Sequence, residues 1–148
     1  MAFEEKAVRT IIEVLHDGER GFSSLSAELK EPRAKTFFME ESAIRGKFAA
    51  ELEAALSAVK GKQVSEGGTL SGAIHRSWGE LKAKVGGSDH TLLETAEQGE
   101  DAAKKAYEEA LKINDIPSPI LALLQEQQVH ILQSHDKVKA LRDSLAAA

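Results

Sequence analysis

Four ionisable residues of the 148-residue chain stand where helical periodicity calls for an apolar side chain: Glu19, Glu41, Glu100 and His135. A carboxylate is costly to bury unless a cation or a hydrogen-bond donor meets it. Hard cations such as iron and manganese bind carboxylate oxygens and imidazole nitrogens. The four side chains therefore predict either a metal site inside a helix bundle or a polar network that sets how the helices pack.

The metal hypothesis lacks the ligand pairs of a complete diiron bundle site, in which Glu-x-x-His comes from two of the helices. Ile44 follows Glu41 by three residues, and Leu132 precedes His135 by three. We therefore keep iron or manganese binding by Glu19, Glu41, Glu100 and His135 as the alternative and assign no catalytic residue.

A polar network is the favoured interpretation. Arg45 lies one turn after Glu41 and could bridge Glu100 to Glu19 or to Glu41 through bidentate hydrogen bonds. His135 could bond to Tyr107 or Gln128. The predicted polar layer of the core comprises Glu19, Glu41, Arg45, Glu100, Tyr107, Gln128 and His135.

The elements that must position this layer are helices. Apolar residues recur at steps of three and four, and the chain has only three prolines. We predict long helices over about 3–29, 32–59, 90–113 and 117 into the 140s, with a shorter helix over 69–85. Tight breaks at Lys30–Pro32 and Asn114–Pro117 separate the helices of each pair.

The connection lengths predict the topology. Two short breaks make two antiparallel hairpins, and the segment 62–88 between them is long enough to cross the whole bundle. The second and third long helices would then run parallel, as in ferritin-like bundles. The fold class predicted is all-α, a ferritin-like four-helix bundle with a helical crossover, in one domain over residues 1–148.

Composition narrows the function classes. The net charge is −5 with no basic stripe, which disfavours nucleic-acid binding. No apolar stretch could act as a signal or membrane span, so we expect a cytoplasmic protein that is not bound to membranes. The absence of cysteine excludes disulfides and thiolate chemistry. No Ser-His-Asp order, phosphate loop or HExxH stretch indicates an enzyme.

Several motifs along the chain resemble one family. They are His16–Phe22, Arg45 with Phe48, Gly72–Trp78, Gly99–Ala102 with Tyr107, and His135-Asp136. The chain resembles a bacterial family of ferritin-like four-helix-bundle proteins that is classed as a domain of unknown function.

This resemblance implies a ferritin-like bundle among stress-associated cytoplasmic proteins, with a distant kinship to rubrerythrins and ferritins. The resemblance implies no established activity. We expect a non-enzymatic protein that acts by self-association as a homo-oligomer or by binding a protein partner. A metal-binding or redox role is the alternative. The crossover residues His75, Arg76 and Trp78 could form a partner or anion site, or could simply anchor that segment to the bundle.

Overall fold

The computed structural model describes residues 5–60 and 88–146, which form four α-helices. These are α1 (Lys6–Glu28), α2 (Pro32–Lys60), α3 (Asp89–Ala110) and α4 (Ser118–Ala146). Neither of the two ranges contains a β-strand. The predicted all-α four-helix bundle is confirmed. The kinship with ferritins and the single domain over 1–148 stay predictions, and the predicted short helix over 69–85 lies outside the described residues.

The first hairpin turns at Glu31. Leu29 leaves the helix with φ −66° and ψ 142°, and Pro32 opens α2 at the position where a missing N–H costs nothing. The Glu31 carboxylate accepts the backbone N–H of Ala34 at 2.8 Å. This bond caps one of the donors that the first turn of a helix leaves unpaired.

The start of α3 is tied to that same turn. The Asp89 carboxylate accepts the backbone N–H groups of Lys30 at 3.0 Å and of Glu31 at 2.8 Å. Ser88 caps α3 by accepting the N–H of Thr91 at 3.2 Å. The first residues of α2 and α3 therefore lie at the same end of the bundle.

Contacts at the helix ends establish the directions. Lys60, at the end of α2, pairs with Glu5 before α1 at 2.6 Å, and Arg142 near the end of α4 pairs with Glu97 near the start of α3. The hairpins α1–α2 and α3–α4 are thus antiparallel, whereas α2 and α3 run parallel. Helix α1 packs beside α2 and α3, and α4 packs beside α3 and α2.

The apolar core consists of two clusters stacked along the bundle axis. One cluster contains residues such as Leu15, Leu52 and Ile131, and the other contains Phe22, Phe38 and Val138. A layer of polar side chains lies between them. Among the described helices, none combines the length and the apolar character that crossing a membrane demands.

Candidate functional site

Arg45 of α2 is the centre of the polar layer. Its side chain is 1% exposed, because α2 buries Phe38, Glu41, Arg45, Ala49 and Leu52 along one stripe. Its Nε donates to Glu41 Oε2 at 2.8 Å, one turn earlier on the same helix. A guanidinium in this position needs partners on other helices, since a buried charge without them is strongly destabilising.

Those partners come from α3 and α4. Arg45 Nη2 lies 2.6 Å from Glu100 Oε1 on α3 and donates to Ser134 Oγ on α4 at 3.1 Å. The Ser134 hydroxyl in turn donates to Glu100 Oε2 in a short hydrogen bond. The contact at Glu100 Oε1 is an ion pair, but its geometry does not make an aligned hydrogen bond with any described donor.

His130 of α4 closes the layer on the α2 side. Its Nε2 lies 2.9 Å and 3.0 Å from the two carboxylate oxygens of Glu41. An ionised carboxylate can only accept hydrogen bonds, so Nε2 carries the hydrogen of this contact. The imidazole also packs edge-on against Phe48, with 5.4 Å between ring centroids. Its side chain is 31% exposed, so the layer reaches solvent through this ring.

Helix α1 contributes space and an aromatic face. The Arg45 guanidinium lies 5.0 Å from the Phe22 ring centroid, a cation–π distance. A Cβ placed on Gly18 would lie 3.4 Å from Arg45 Nη1, so any larger side chain there would meet the guanidinium. The layer is thus built by all four helices, with a large cation opposite glycine and serine.

The pKa values in the layer follow from burial and charge. Burial alone would raise the pKa of Glu41, but the His130 hydrogen bond and the Arg45 charge outweigh it, so this pKa is lowered. Burial also opposes the charge of Arg45, yet Glu100 and Glu41 outweigh it and raise the guanidinium pKa.

Glu100 behaves differently from its partner. Burial raises its pKa, and the opposing effects of Arg45 and Ser134 do not cancel that rise. The pKa values of Glu41 and Glu100 shift in opposite directions because the two carboxylates share one guanidinium and Glu100 is the more deeply buried of them. Glu41 is therefore the firmly ionised carboxylate of the layer.

A second polar group lies one to two turns away, inside the first apolar cluster. The Tyr107 hydroxyl donates to Gln127 Oε1 at 2.8 Å, and Gln127 Nε2 donates to the Phe48 carbonyl at 3.3 Å and to Glu51 at 3.2 Å. Burial raises the pKa of Tyr107, so the phenol stays protonated. The predicted bond of His135 to Tyr107 or Gln128 was wrong, because Tyr107 donates to Gln127 and His135 contacts Asp101.

The structure brings together Glu41, Arg45 and Glu100 but not Glu19 or His135. The Glu19 side chain is 43% exposed and contacts His16 at 3.4 Å. His135 lies at the edge of the α3–α4 interface, where Nε2 meets Asp101 at 2.7 Å. The expectation that all four would share one layer was therefore wrong for these two.

The same finding removes the proposed metal ligand set. Within residues 5–60 and 88–146, no group of three or more His, Asp or Glu side chains is arranged to hold a metal ion. Glu41 and Glu100 are instead joined through Arg45, which places a fixed positive charge where a cation would sit.

The reason for the misplacement is a one-residue shift of two helical faces. The buried stripe of α1 includes Leu15, Gly18 and Phe22, so Gly18 occupies the place expected for Glu19. On α4, Ser134 rather than His135 lies in the core. Side-chain volume could have predicted the core positions of Gly18 and Ser134, because a buried arginine needs small residues opposite it.

Sequence reasoning also missed the roles of His130 and Gln127. The crossover residues His75, Arg76 and Trp78 lie outside the described residues.

These features define the protein as a four-helix bundle with a buried, charged layer and no recognisable reaction centre among its described residues. A family described as Domain of unknown function (DUF2383) matches residues 4–113, about three-quarters of the chain, and the chain belongs to that family. No curated protein shows a significant match. The family match ends before α4, the helix that supplies His130 and Ser134 to the layer.

Proposed function

We propose that the protein acts as a non-catalytic bundle, by self-association or partner binding, and that its polar layer holds the four helices in one register. The observation that carries this proposal is the burial of Arg45 between charged or polar groups of three helices. Sliding one helix by a turn, about 5.4 Å, would separate these groups and leave a buried charge without a partner.

The surface of α4 supports self-association. Ser118, Ala122, Gln125, Val129 and Leu132 are all exposed and follow one another at steps of four and three. Between residues 118 and 135 the only acidic or basic side chain is Glu126, apart from the histidines. Depletion of charge with exposed apolar groups is typical of the centre of an interface.

A second copy of this chain is the partner that this face fits best. The stripe repeats every seven residues, and such a stripe packs against another helix with the same repeat. Two copies of the stripe related by a twofold axis can pack against each other, because the same surface of each subunit forms the interface in most homodimers. The stress association that the family resemblance implies belongs to this proposal, as the setting in which the bundle would act.

Sedimentation velocity with single charge substitutions tests the proposal. We expect Val129→Glu to abolish the dimer. Met39→Glu on α2 is a matched control, because Met39 and Val129 are both 57% exposed. If Val129→Glu and the wild type have the same mass in solution, association through α4 is refuted.

The register role is tested separately in the monomeric Val129→Glu background. Replacing Arg45 with Met should leave a helical protein whose α2–α4 contacts shift, seen as altered cross-peaks between Phe48 and His130 in NMR spectra. If those cross-peaks stay in place, the layer does not set the register.

A further inference from the structure

An open groove lies between the first turns of α1 and the last turns of α3. It encloses about 380 Å³ and is lined by Lys6, Ala7, Thr10, Ala102, Lys105, Ala106 and Glu109. The volume falls within the range of about 300–1,000 Å³ that is usual for small-molecule sites. The groove exists because both helices present alanine at their junction, so that no side chain fills the furrow between them.

The chemistry of the lining is divided between floor and rim. Ala7, Ala102 and Ala106 make a half-buried apolar floor, whereas Lys6 and Lys105 are exposed beside it. Among the described residues, no carboxylate forms an ion pair with either ammonium group. Glu109, the one acid in the lining, is already paired with Lys112 at 3.5 Å.

The groove is therefore positively charged at its rim in a chain whose net charge is −5. An apolar floor favours a hydrocarbon chain, because each CH₂ group that is removed from water adds to the affinity. The two ammonium groups have no carboxylate partner in the part of the chain that the structure describes, and they favour a single anionic head group, which they can bind through charge-assisted hydrogen bonds. A neutral or cationic amphiphile could contact the apolar floor but would form no ion pair with the two lysines.

We propose that this groove binds a free straight-chain fatty acid anion, with its alkyl chain on the alanine floor and its carboxylate between Lys6 and Lys105. The site is separate from the buried Arg45 layer and from the exposed face of α4. It stands independently of the self-association proposed above.

Isothermal titration calorimetry with sodium laurate, kept below its micelle concentration, tests the proposal on the full chain. We expect saturable binding with one site per chain. Lys105→Glu should weaken it about tenfold or more, since hydrogen bonds to charged groups contribute about 1.5–3 kcal/mol. Lys139→Glu, an exposed lysine on α4, should leave the affinity unchanged.

Two further arms separate the floor from the rim. Ala106→Trp should fill the groove and abolish binding, with a melting curve to show that the variant is folded. If that variant does not fold, Ala102→Leu replaces it, because Ala102 is a half-buried position of the same floor. Dodecanol should bind at least about fivefold more weakly than laurate, because it lacks the charge that the lysines bind.

Four results would overturn the proposal. The first is the absence of saturable laurate binding. The second is equal affinity for laurate and dodecanol, which would leave the lysines without a role. The third is laurate binding that persists with unchanged affinity in the charge-reversed variant, Lys105→Glu. The fourth is laurate binding that occurs only as the protein changes its oligomeric state, which would make the groove a contact between copies.

Discussion

Glu100→Ala is the sharpest test of the buried layer. Glu100 is fully buried and meets Arg45 at 2.6 Å, with Ser134 donating to its other oxygen. Removing one partner of a buried ion pair costs about 3–5 kcal/mol. Glu41 remains beside Arg45, so we expect the lower end, about 3 kcal/mol, which is a large part of the 5–15 kcal/mol that usually stabilises a domain.

The assay is urea unfolding followed by circular dichroism, with Glu108→Ala, an exposed position on the same helix, as the control. Arg45→Met should cost more than Glu100→Ala, because it leaves both Glu41 and Glu100 without their cation. In the Arg45→Met and Glu100→Leu double variant part of the loss should be recovered, since an apolar pair of similar volume can replace the Arg45–Glu100 ion pair. Recovery stays partial because Glu41 keeps only His130 as a partner.

The buried ion pair is refuted if Glu100→Ala lowers the unfolding free energy by less than about 0.5 kcal/mol, which is the range of ordinary surface substitutions. The interaction is also refuted if the losses of Arg45→Met and Glu100→Leu, each measured alone, simply add in the double variant. Additivity of that kind would mean that the two side chains do not interact.

Three other predictions concern pH, space and the helix turn. The lowered pKa of Glu41 gives stability that is present above its ordinary value of 4.5 and is lost as pH falls, whereas the raised pKa of Glu100 gives stability that is lost as pH rises above 4.5. In acid titrations of the unfolding free energy, Glu41→Gln should therefore reduce the loss of stability at low pH, and Glu100→Gln should remove the loss of stability that Glu100 causes above pH 4.5; unchanged profiles in both would refute this. Gly18→Ala should be neutral or stabilise by up to about 1 kcal/mol in thermal melts, because its Cβ makes an ordinary contact with Arg45, whereas Gly18→Leu should destabilise strongly. Asp89→Ala should cost about 1–2 kcal/mol in urea, since two backbone N–H groups lose their acceptor, and an effect below about 0.3 kcal/mol would contradict the tie between the turn and α3.

The fold was largely predictable because its signals are strong and local. Apolar spacing and the breaks near Pro32 and Pro117 predicted the helices to within a few residues at most ends. The lengths of the connections predicted which helices begin at the same end. Asp115, with φ 65°, shows why the second break is tight: aspartate tolerates the left-handed region better than most residues.

The site was predictable only in part. The apolar residues of α2 and α3 define a single buried face on each helix, and Glu41, Arg45 and Glu100 lie on those faces. Their contact could therefore be expected. On α4 the buried stripe alternates apolar and polar residues, and on α1 the buried face is too broad to select one position near residue 18. The pattern therefore allows either of two neighbouring residues to face the core, which are Gly18 or Glu19 on α1 and Ser134 or His135 on α4. The large Arg45 side chain leaves room only for the smaller residue of each pair.

The position of the charged layer between two apolar clusters has a consequence for how mutations combine. Leu15 and Leu52 share one cluster, whereas Leu25 lies in the other. Truncating Leu15 and Leu52 together should give non-additive losses, while truncating Leu15 and Leu25 should give losses that add within about 0.5 kcal/mol. Each end of the bundle is thus free to accumulate core substitutions on its own, and the residues that tolerate least change are those at the boundary.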